Sequence, residues 1–334
     1  MDSTIAVFCL AITAEIVFVA VATRTLQTRQ TSALLAGCGT SHPPTSTSRW
    51  PTRVVVVPAV YREWDERIPS WACPSQDDRY SVGPLYQRID PRAPRYLPNY
   101  AYEGGTYLRF VLDHYEELPE WTVFVQADAA SELNLGKHFG AVGPHFRSIL
   151  NDLPLDALEA AGVRYLPVNE RYIGGRRVGW NSVDGYNDNV RHCWLRVAGW
   201  FGVDPALEDR EATVSLYCCN YFAVSRKNVL RHARATWEVA YENLVVNGSC
   251  TGAWPDRERG LHEGGNALEH LAHLIWGDDS QAHYAGPAWE HWNAKRQVLE
   301  TPRPRWNYNK WMLENRGRVP ASGEFRLSTG GAFS

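Results

Sequence analysis

The polar residues best placed for chemistry follow a buried strand in the first half of the folded region. Residues 121–125 are a run of β-formers, and Gln126 and Asp128 come directly after them. In α/β sheets, ligands bind just past the carboxyl ends of strands. If these residues belong to such a sheet, Gln126 and Asp128 lie where a site is expected. The alternative for Asp128 is a cap on the following helix or turn.

A second candidate site residue is Glu103, which begins the clearest helical pattern of the chain, residues 103–117. It is either a site carboxylate beside Asn99 or an acid that the helix dipole favours at a helix N-terminus. Both interpretations fit the residue type.

A third candidate is Glu269, within the densest group of His and Glu residues, 262–273. The zinc-hydrolase pattern HExxH is excluded there, because Asn266 stands where the second His is required. Glu269 fits a general base that activates a hydroxyl group, and it fits equally a surface acid on an amphipathic helix.

The elements that must position these residues alternate between strands and helices. A strand, a helix and a strand in succession, at residues 85–89, 103–117 and 121–125, favour parallel pairing through a crossover. Four valines at 54–57 indicate a further strand, buried on both faces. Other predicted strands are 163–168 and part of 213–224, and other predicted helices are 137–150, 189–201, 225–244 and 267–276. Residues 174–189 are predicted to be a long surface loop. The fold class is therefore α/β, with a mostly parallel central sheet in one domain.

The ends of the chain differ from its body. Residues 1–24 predict a signal anchor whose apolar part, residues 5–23, is long enough to cross a bilayer. Residues 25–50 are predicted to be a flexible Ser/Thr/Pro stalk, 51–285 the globular domain, and 286–334 a Trp/Pro-rich tail. Arg24 and Arg29 alone would place the body in the cytosol, so charge does not settle the orientation.

Composition narrows the function classes. A net charge of -3 without a long basic run argues against nucleic-acid binding. No GxSxG, P-loop or GxGxxG motif occurs, which argues against the matching hydrolases, NTPases and dehydrogenases. The 14 Trp and 16 Tyr fit either an aromatic core or stacking on sugar rings. Six cysteines besides Cys9, and a glycosylation sequon at Asn247, are compatible with a secretory location, although the disulfide pairing is not readable.

Several short blocks resemble a family of functionally uncharacterised proteins from fungi, algae, bacteria and large algal viruses. The blocks are Leu97-Pro98-Asn99, Glu103, Thr106-Tyr107-Leu108, Asp113-His114-Tyr115, Leu118-Pro119 and Phe124-Val125-Gln126. One departure concerns Ala101-Tyr102, where the family tends to have Gly-Arg before the Glu. If that Arg binds an anionic group, its role is missing here or has moved.

The family is distantly similar to nucleotide-sugar glycosyltransferases with one Rossmann-like, glycosyltransferase-A-like domain. This similarity implies a nucleotide-sugar donor, a glycan acceptor and a Golgi or other secretory membrane location. It also implies Mn²⁺ or Mg²⁺ held by Asp128, although only one carboxylate of the usual Asp-x-Asp is present. The implied catalytic residues are Glu269 and Glu103, and the implied substrate-binding residues are Asn99, Gln126 and Tyr107. The alternative is a non-catalytic glycan-binding or scaffolding membrane protein with a degenerate site.

Overall fold

The structure is a computed structural model. It describes residues 50–277 except 62, 63, 65–67, 87, 89, 90, 93, 94, 128–145, 161, 169–171, 182–184, 204, 218, 219 and 251–262. The predicted anchor, stalk and C-terminal tail lie outside the described residues, as does Asp128. Within the described part, no helix has the length and apolar character needed to span a bilayer.

Nine strands occur in the described residues. They are β1 Val54–Ala59, β2 Tyr80–Val82, β3 Trp121–Gln126, β4 Tyr165–Pro167, β5 Tyr172–Arg177, β6 Trp180–Asn181, β7 Gly185–Tyr186, β8 Thr213–Tyr217 and β9 Phe222–Ser225. Five of them form the central sheet in the order β2-β1-β3-β9-β4. β1 pairs parallel with β2 and β3, whereas β9 runs antiparallel to both β3 and β4. The predicted α/β class is confirmed, whereas the sheet, predicted to be mostly parallel, is mixed, with two parallel and two antiparallel pairings.

Eight α-helices surround this sheet in the described part of the chain. They are α1 Tyr102–His114, α2 Phe146–Asn151, α3 Leu155–Ala160, α4 Asp188–Trp200, α5 Arg226–Val229, α6 Arg234–Tyr241, α7 Glu263–His270 and α8 Ala272–Ile275. A π-helical segment, Glu242–Val246, continues α6. Short 3-10 helices lie at Ser70–Ala72, Tyr115–Glu117 and Pro205–Glu208.

The valine run explains why the sheet is covered on both faces. Val55 and Val57 lie in one core cluster, with the buried side chains of α1, α4, α6 and α7. Val54 and Val56 point the other way, into a second cluster that includes the buried side chains of α2 and α3. Because successive strand residues face opposite sides, a continuous apolar run is required where both faces are buried.

Two sequence predictions about strands are wrong. The described residues of the predicted strand 85–89 do not form a strand and pair with no other strand. Instead, Tyr86 is buried and its hydroxyl donates to Asp113 Oδ2 of α1 at 3.0 Å. The region predicted to be a loop, residues 174–189, contains strands. One of them, β5, pairs with β8, which is distant in sequence, and the glycines of this region give no indication of that pairing.

A disulfide joins Cys193 of α4 to Cys250, with their Cα atoms 5.6 Å apart. Cys73 is also disulfide-bonded. The bond at Cys193 links the helical layer on one face of the sheet to the segment that follows the π-helix.

Gly179 is a position where an added methyl group is expected to destabilise the fold. Its φ is +94°, and a Cβ would lie 2.5 Å from Arg191 Cβ and 2.8 Å from Arg191 Cα. Backbone strain and overpacking each cost about 1–3 kcal/mol. We therefore expect Gly179→Ala to lower the free energy of unfolding by about 2–4 kcal/mol in urea titrations.

Gly202 provides the matched control for this substitution. Its φ is +62°, but no atom lies within 4 Å of the position that a Cβ would take, so only the backbone strain applies. Gly202→Ala is expected to cost about 1 kcal/mol. Equal losses in the two variants would show that the contact with Arg191 carries no cost.

Asp78 is expected to make the free energy of unfolding depend on pH in the acidic range. Burial raises the pKa of its carboxyl group, but hydrogen bonds from Arg147 Nε (3.0 Å), Asn151 Nδ2 (2.6 Å) and Ser75 outweigh burial and hold the pKa below its ordinary value. A carboxylate with a depressed pKa stabilises the fold above the unfolded pKa, about 3.9, and this stabilisation is lost as the pH falls further.

The expected result is a smaller acid sensitivity in Asp78→Asn. Between about pH 6 and about pH 3, its free energy of unfolding should fall less than that of the wild type. Asp77→Asn, which removes an exposed carboxyl group one residue away, serves as control. An unchanged pH dependence in Asp78→Asn would contradict the assignment.

Candidate functional site

The candidate site lies at the edge of the central sheet where the parallel strands β1 and β3 end. Ala59 and Gln126, their last residues, are register partners. Because β9 is antiparallel, its first residue, Phe222, pairs near this same edge with Phe124. Residues that precede β9 are therefore brought to the carboxyl ends of the parallel strands, where α/β sheets usually bind ligands.

A buried arginine stands at this edge. Arg88 is 7% exposed, and its Nη1 donates to Asn99 Oδ1 at 2.8 Å. Its Nε donates to the carbonyl of Val60, the residue after β1, at 3.3 Å. The guanidinium carbon lies 5.6 Å from the ring centroid of Tyr61, a cation–π distance. The site thus contains a fixed positive charge. Arg88 was not predicted as a site residue, because it lies in residues 85–89, which were wrongly predicted to be a strand.

Tyr107 anchors α1 beneath the site. Its side chain is 1% exposed, and its hydroxyl donates to the carbonyl of Asn220 at 3.1 Å. Burial raises the pKa of Tyr107 well above its ordinary value, the charge of Glu103 raises it further, and Arg88 opposes them. The phenol therefore stays protonated and can keep donating. This geometry gives Tyr107 a positioning role, and direct substrate contact stays a prediction.

Glu103 and Glu269 are brought together by the packing of α1 on α7. A Cβ added to Gly104 would lie 2.5 Å from Leu268 Cδ1, so the two helices touch beside these two carboxylates. Glu103 and Glu269 are both half-buried. The charges of both carboxylates also raise the pKa of Tyr107.

The amide of Gln126 completes the group. Tyr221 donates its hydroxyl to Gln126 Oε1 at 3.1 Å, across the β3–β9 pair. Beside it, the indole Nε1 of Trp64 donates to the carbonyl of Ala127 at 2.9 Å. These contacts fix the orientation of the strand end that leads to Asp128.

Backbone strain is concentrated in the same region. Among the residues that the structure describes, three non-glycine residues have positive φ: Arg95 at 56°, Tyr102 at 46° and Asn220 at 54°. Tyr102 occupies the position where the resembled family tends to have Arg, and Asn220 accepts the Tyr107 hydrogen bond. Such conformations cost about 1–3 kcal/mol each and are commonest at functional sites.

The structure links Asn99 to Arg88 by a hydrogen bond and places Glu103 and Glu269 on helices α1 and α7, which pack together. Gln126 is held by Tyr221 at the end of β3. The predicted metal ligand, Asp128, lies outside the described residues. Across those that are described, no three His, Cys, Asp or Glu side chains are grouped to hold a metal ion. What the arrangement offers chemically is one buried cation, two carboxylates able to accept a proton, and two amides suited to hydroxyl groups.

Sequence reasoning missed Asn220 and Tyr221 as well as Arg88. Asn220 and Tyr221 fall within the stretch 213–224, where the β-forming residues predict strand structure without an interruption. The available signal was Asn220 itself, because asparagine adopts positive φ more readily than other non-glycine residues.

Comparison with known proteins gives a single result. No curated protein matches the chain, and no solved structure matches it. One family model matches, over residues 56–288, which include every described residue of the candidate site. The chain therefore belongs to this family, which is described as a protein of unknown function (DUF3431).

Proposed function

We propose that the site transfers a sugar from a nucleotide sugar to a glycan acceptor. The observation that carries this proposal is Arg88, a buried cation held at the carboxyl end of β1, together with the packing of α1 on α7, the helices of Glu103 and Glu269. A cation suits the diphosphate of a donor, and a carboxylate suits an acceptor hydroxyl. The Rossmann-like classification of the fold is part of the same proposal.

In the transfer step, the acceptor oxygen forms a bond to the anomeric carbon of the donor sugar. The bond from that carbon to the diphosphate oxygen breaks, and the diphosphate leaves with the electron pair. Glu269 takes the proton of the acceptor hydroxyl, which makes the oxygen a better nucleophile. Arg88 favours the charge that develops on the leaving diphosphate.

The remaining residues orient the two substrates. Asn99 and Gln126 present amide groups to sugar hydroxyls, and Glu103 accepts a hydrogen bond from another hydroxyl. Asp128 would supply one oxygen ligand to Mn²⁺ or Mg²⁺, which would offset the diphosphate charge. The described residues do not provide a complete ligand set, so no step is assigned to the metal.

A secretory location is proposed together with the activity. The Cys193–Cys250 disulfide supports it, because disulfides persist in oxidising compartments and are rare in the cytosol. The membrane anchor at residues 5–23 stays a prediction from the sequence.

The proposal is tested by incubating the full-length protein with a panel of nucleotide sugars and oligosaccharide acceptors, with and without Mn²⁺. Release of the nucleoside diphosphate and a mass increase of the acceptor by one sugar are the expected products. Hydrolysis without transfer would indicate that the acceptor is absent from the panel. No turnover and no binding of any donor would overturn the proposal.

The second candidate is a non-catalytic glycan-binding protein. Its support is the strand end Gln126-Ala127-Asp128, which has only one carboxylate where two are usual. This function predicts oligosaccharide binding without binding of any nucleotide sugar, so the same panel separates the two candidates.

A further inference from the structure

A concave surface lies at the opposite edge of the central sheet from the candidate site. Trp121, the first residue of β3, pairs there with Ser225, the last residue of β9. The groove beside this pair has a volume of about 930 Å³. Its charged lining residues are Glu120, Glu159, Arg164, Arg226, Lys227 and Arg231. We refer to it as the basic groove.

The two carboxylates of the basic groove are already engaged. Arg53 donates to both oxygens of Glu120, with Nε at 2.9 and 2.8 Å. The same guanidinium lies 3.4 Å from Glu159 Oε1. Arg53 also pairs with Asp156 at 2.6 Å, so its one positive charge is shared by three carboxylates and offsets those of the groove only in part.

The four cations outnumber the acids of the groove. Among the residues that the structure describes, neither Arg164 nor Lys227 forms an ion pair. Arg226 donates to the carbonyl of Glu116 at 3.3 Å, and Arg231 donates to the carbonyl of Ile275 at 2.8 Å. These contacts to backbone carbonyls orient the two guanidinium groups along the groove.

The size and shape of the groove indicate the kind of ligand. A volume of about 930 Å³ is near the upper end of the range for small-molecule sites, about 300–1,000 Å³. Most lining residues are polar or charged, with Leu230, 39% exposed, as the large apolar side chain. The charged lining favours an anionic ligand over an apolar protein partner, and a lipid surface is flat where the groove is concave.

We propose that the basic groove binds a segment of an acidic glycan, with sulfate or carboxylate groups held by Arg164, Arg226, Lys227 and Arg231. Guanidinium groups bind such planar or tetrahedral anions through paired hydrogen bonds, and the lysine adds a mobile point charge. The groove is at the far edge of the sheet from Glu269, and its binding function is independent of sugar transfer.

The test measures binding of the full-length protein in detergent to a heparin hexasaccharide and to cellohexaose, its uncharged counterpart of equal length. Binding of the sulfated probe alone is expected, weaker at about 200 mM than at about 50 mM NaCl because salt screens exposed charges. The double variant Arg164→Ser/Lys227→Ser is expected to bind about tenfold more weakly. Arg164→Lys/Lys227→Arg, which keeps both charges, is expected to bind like the wild type.

The matched control is Arg196→Ser/Arg210→Ser, which removes two exposed positive charges elsewhere. If this control weakens binding as much as the groove variant, the effect is one of net charge and the proposal fails. Equal binding of cellohexaose also overturns it. Vesicles of equal parts phosphatidylserine and phosphatidylcholine form a further arm, and groove-dependent binding to them in preference to the hexasaccharide would assign the surface to a membrane instead. Thermal unfolding of each variant verifies that it is folded.

Discussion

Replacing Glu269 with glutamine is expected to lower the rate of sugar transfer by about 10²–10⁴-fold, the usual contribution of a general base. Glutamine has nearly the same shape and keeps one acceptor oxygen, but it cannot take a proton. Since the proposed partner of Glu269 is the acceptor, the affinity for the donor should change little. The measurement is kcat and donor binding in parallel, with a donor identified by the nucleotide-sugar panel.

The pH profile separates catalysis from simple packing. A base must be deprotonated to act, so wild-type kcat should fall on the acidic side as Glu269 takes up a proton, and this limb should disappear in Glu269→Gln. Glu238→Gln, which alters an exposed carboxyl group on α6, is the control and should behave as the wild type. A fully active Glu269→Gln variant would remove Glu269 from the mechanism.

Removing the Cys193–Cys250 disulfide is expected to lower the free energy of unfolding by about 4 kcal/mol. The bond closes a loop with a sequence separation of 57 residues, which restricts the unfolded chain strongly. Urea unfolding of Cys193→Ser/Cys250→Ser, compared with the wild type under non-reducing conditions, measures the loss.

Reduction of the wild type gives an independent comparison. A reducing agent should destabilise the wild type by at least as much as the double substitution, because Cys73 is disulfide-bonded as well. The double variant should lose only the contribution of that remaining bond. An unfolding midpoint shared by wild type and variant under non-reducing conditions would contradict the assigned role of this bond.

The parts of the fold that the sequence predicts correctly are those whose signals are local. The valines at the start of β1, the apolar spacing of α1 and the β-formers of β3 each follow from which faces are buried. Ser225 caps α5, as short polar residues before a helix commonly do, and Asn187, which had not been predicted as a cap, caps α4 in the same way. Neither feature needs knowledge of distant contacts.

The errors in the fold have a common cause. The predicted β-region 213–224 contains two strands of different sheets, β8 and β9, and the predicted helix after Ser225 is broken into α5, α6 and a π-helical segment. Residue propensities describe how a segment prefers to fold, whereas the partner of each strand is chosen by tertiary packing. The predicted helix 267–276 is likewise divided between α7 and the short helix α8.

The sequence offers candidate residues for the site, but it does not state how they are arranged. Glu103 and Glu269 are separate candidates in the sequence, because nothing in it indicates that α1 packs on α7. The structure shows why Gly104 and Gly265 are small. A Cβ at Gly104 would contact Leu268 of α7, and a Cβ at Gly265 would contact Ala101 and Tyr102 at the start of α1. Nothing in the sequence indicates Arg88 as a member of the site.

The position of β9 between β3 and β4 has a consequence for how the protein folds. Trp121 of β3 must find Ser225, a partner roughly 100 residues further along the chain, so the contact order of the central sheet is high and closing this loop carries a large entropic cost. During synthesis, one edge of β3 stays open until Phe222–Ser225 has emerged from the ribosome. The hydrogen bond from Tyr107 to Asn220 forms only with that late pairing, and the candidate site is therefore assembled in the same step that completes the sheet.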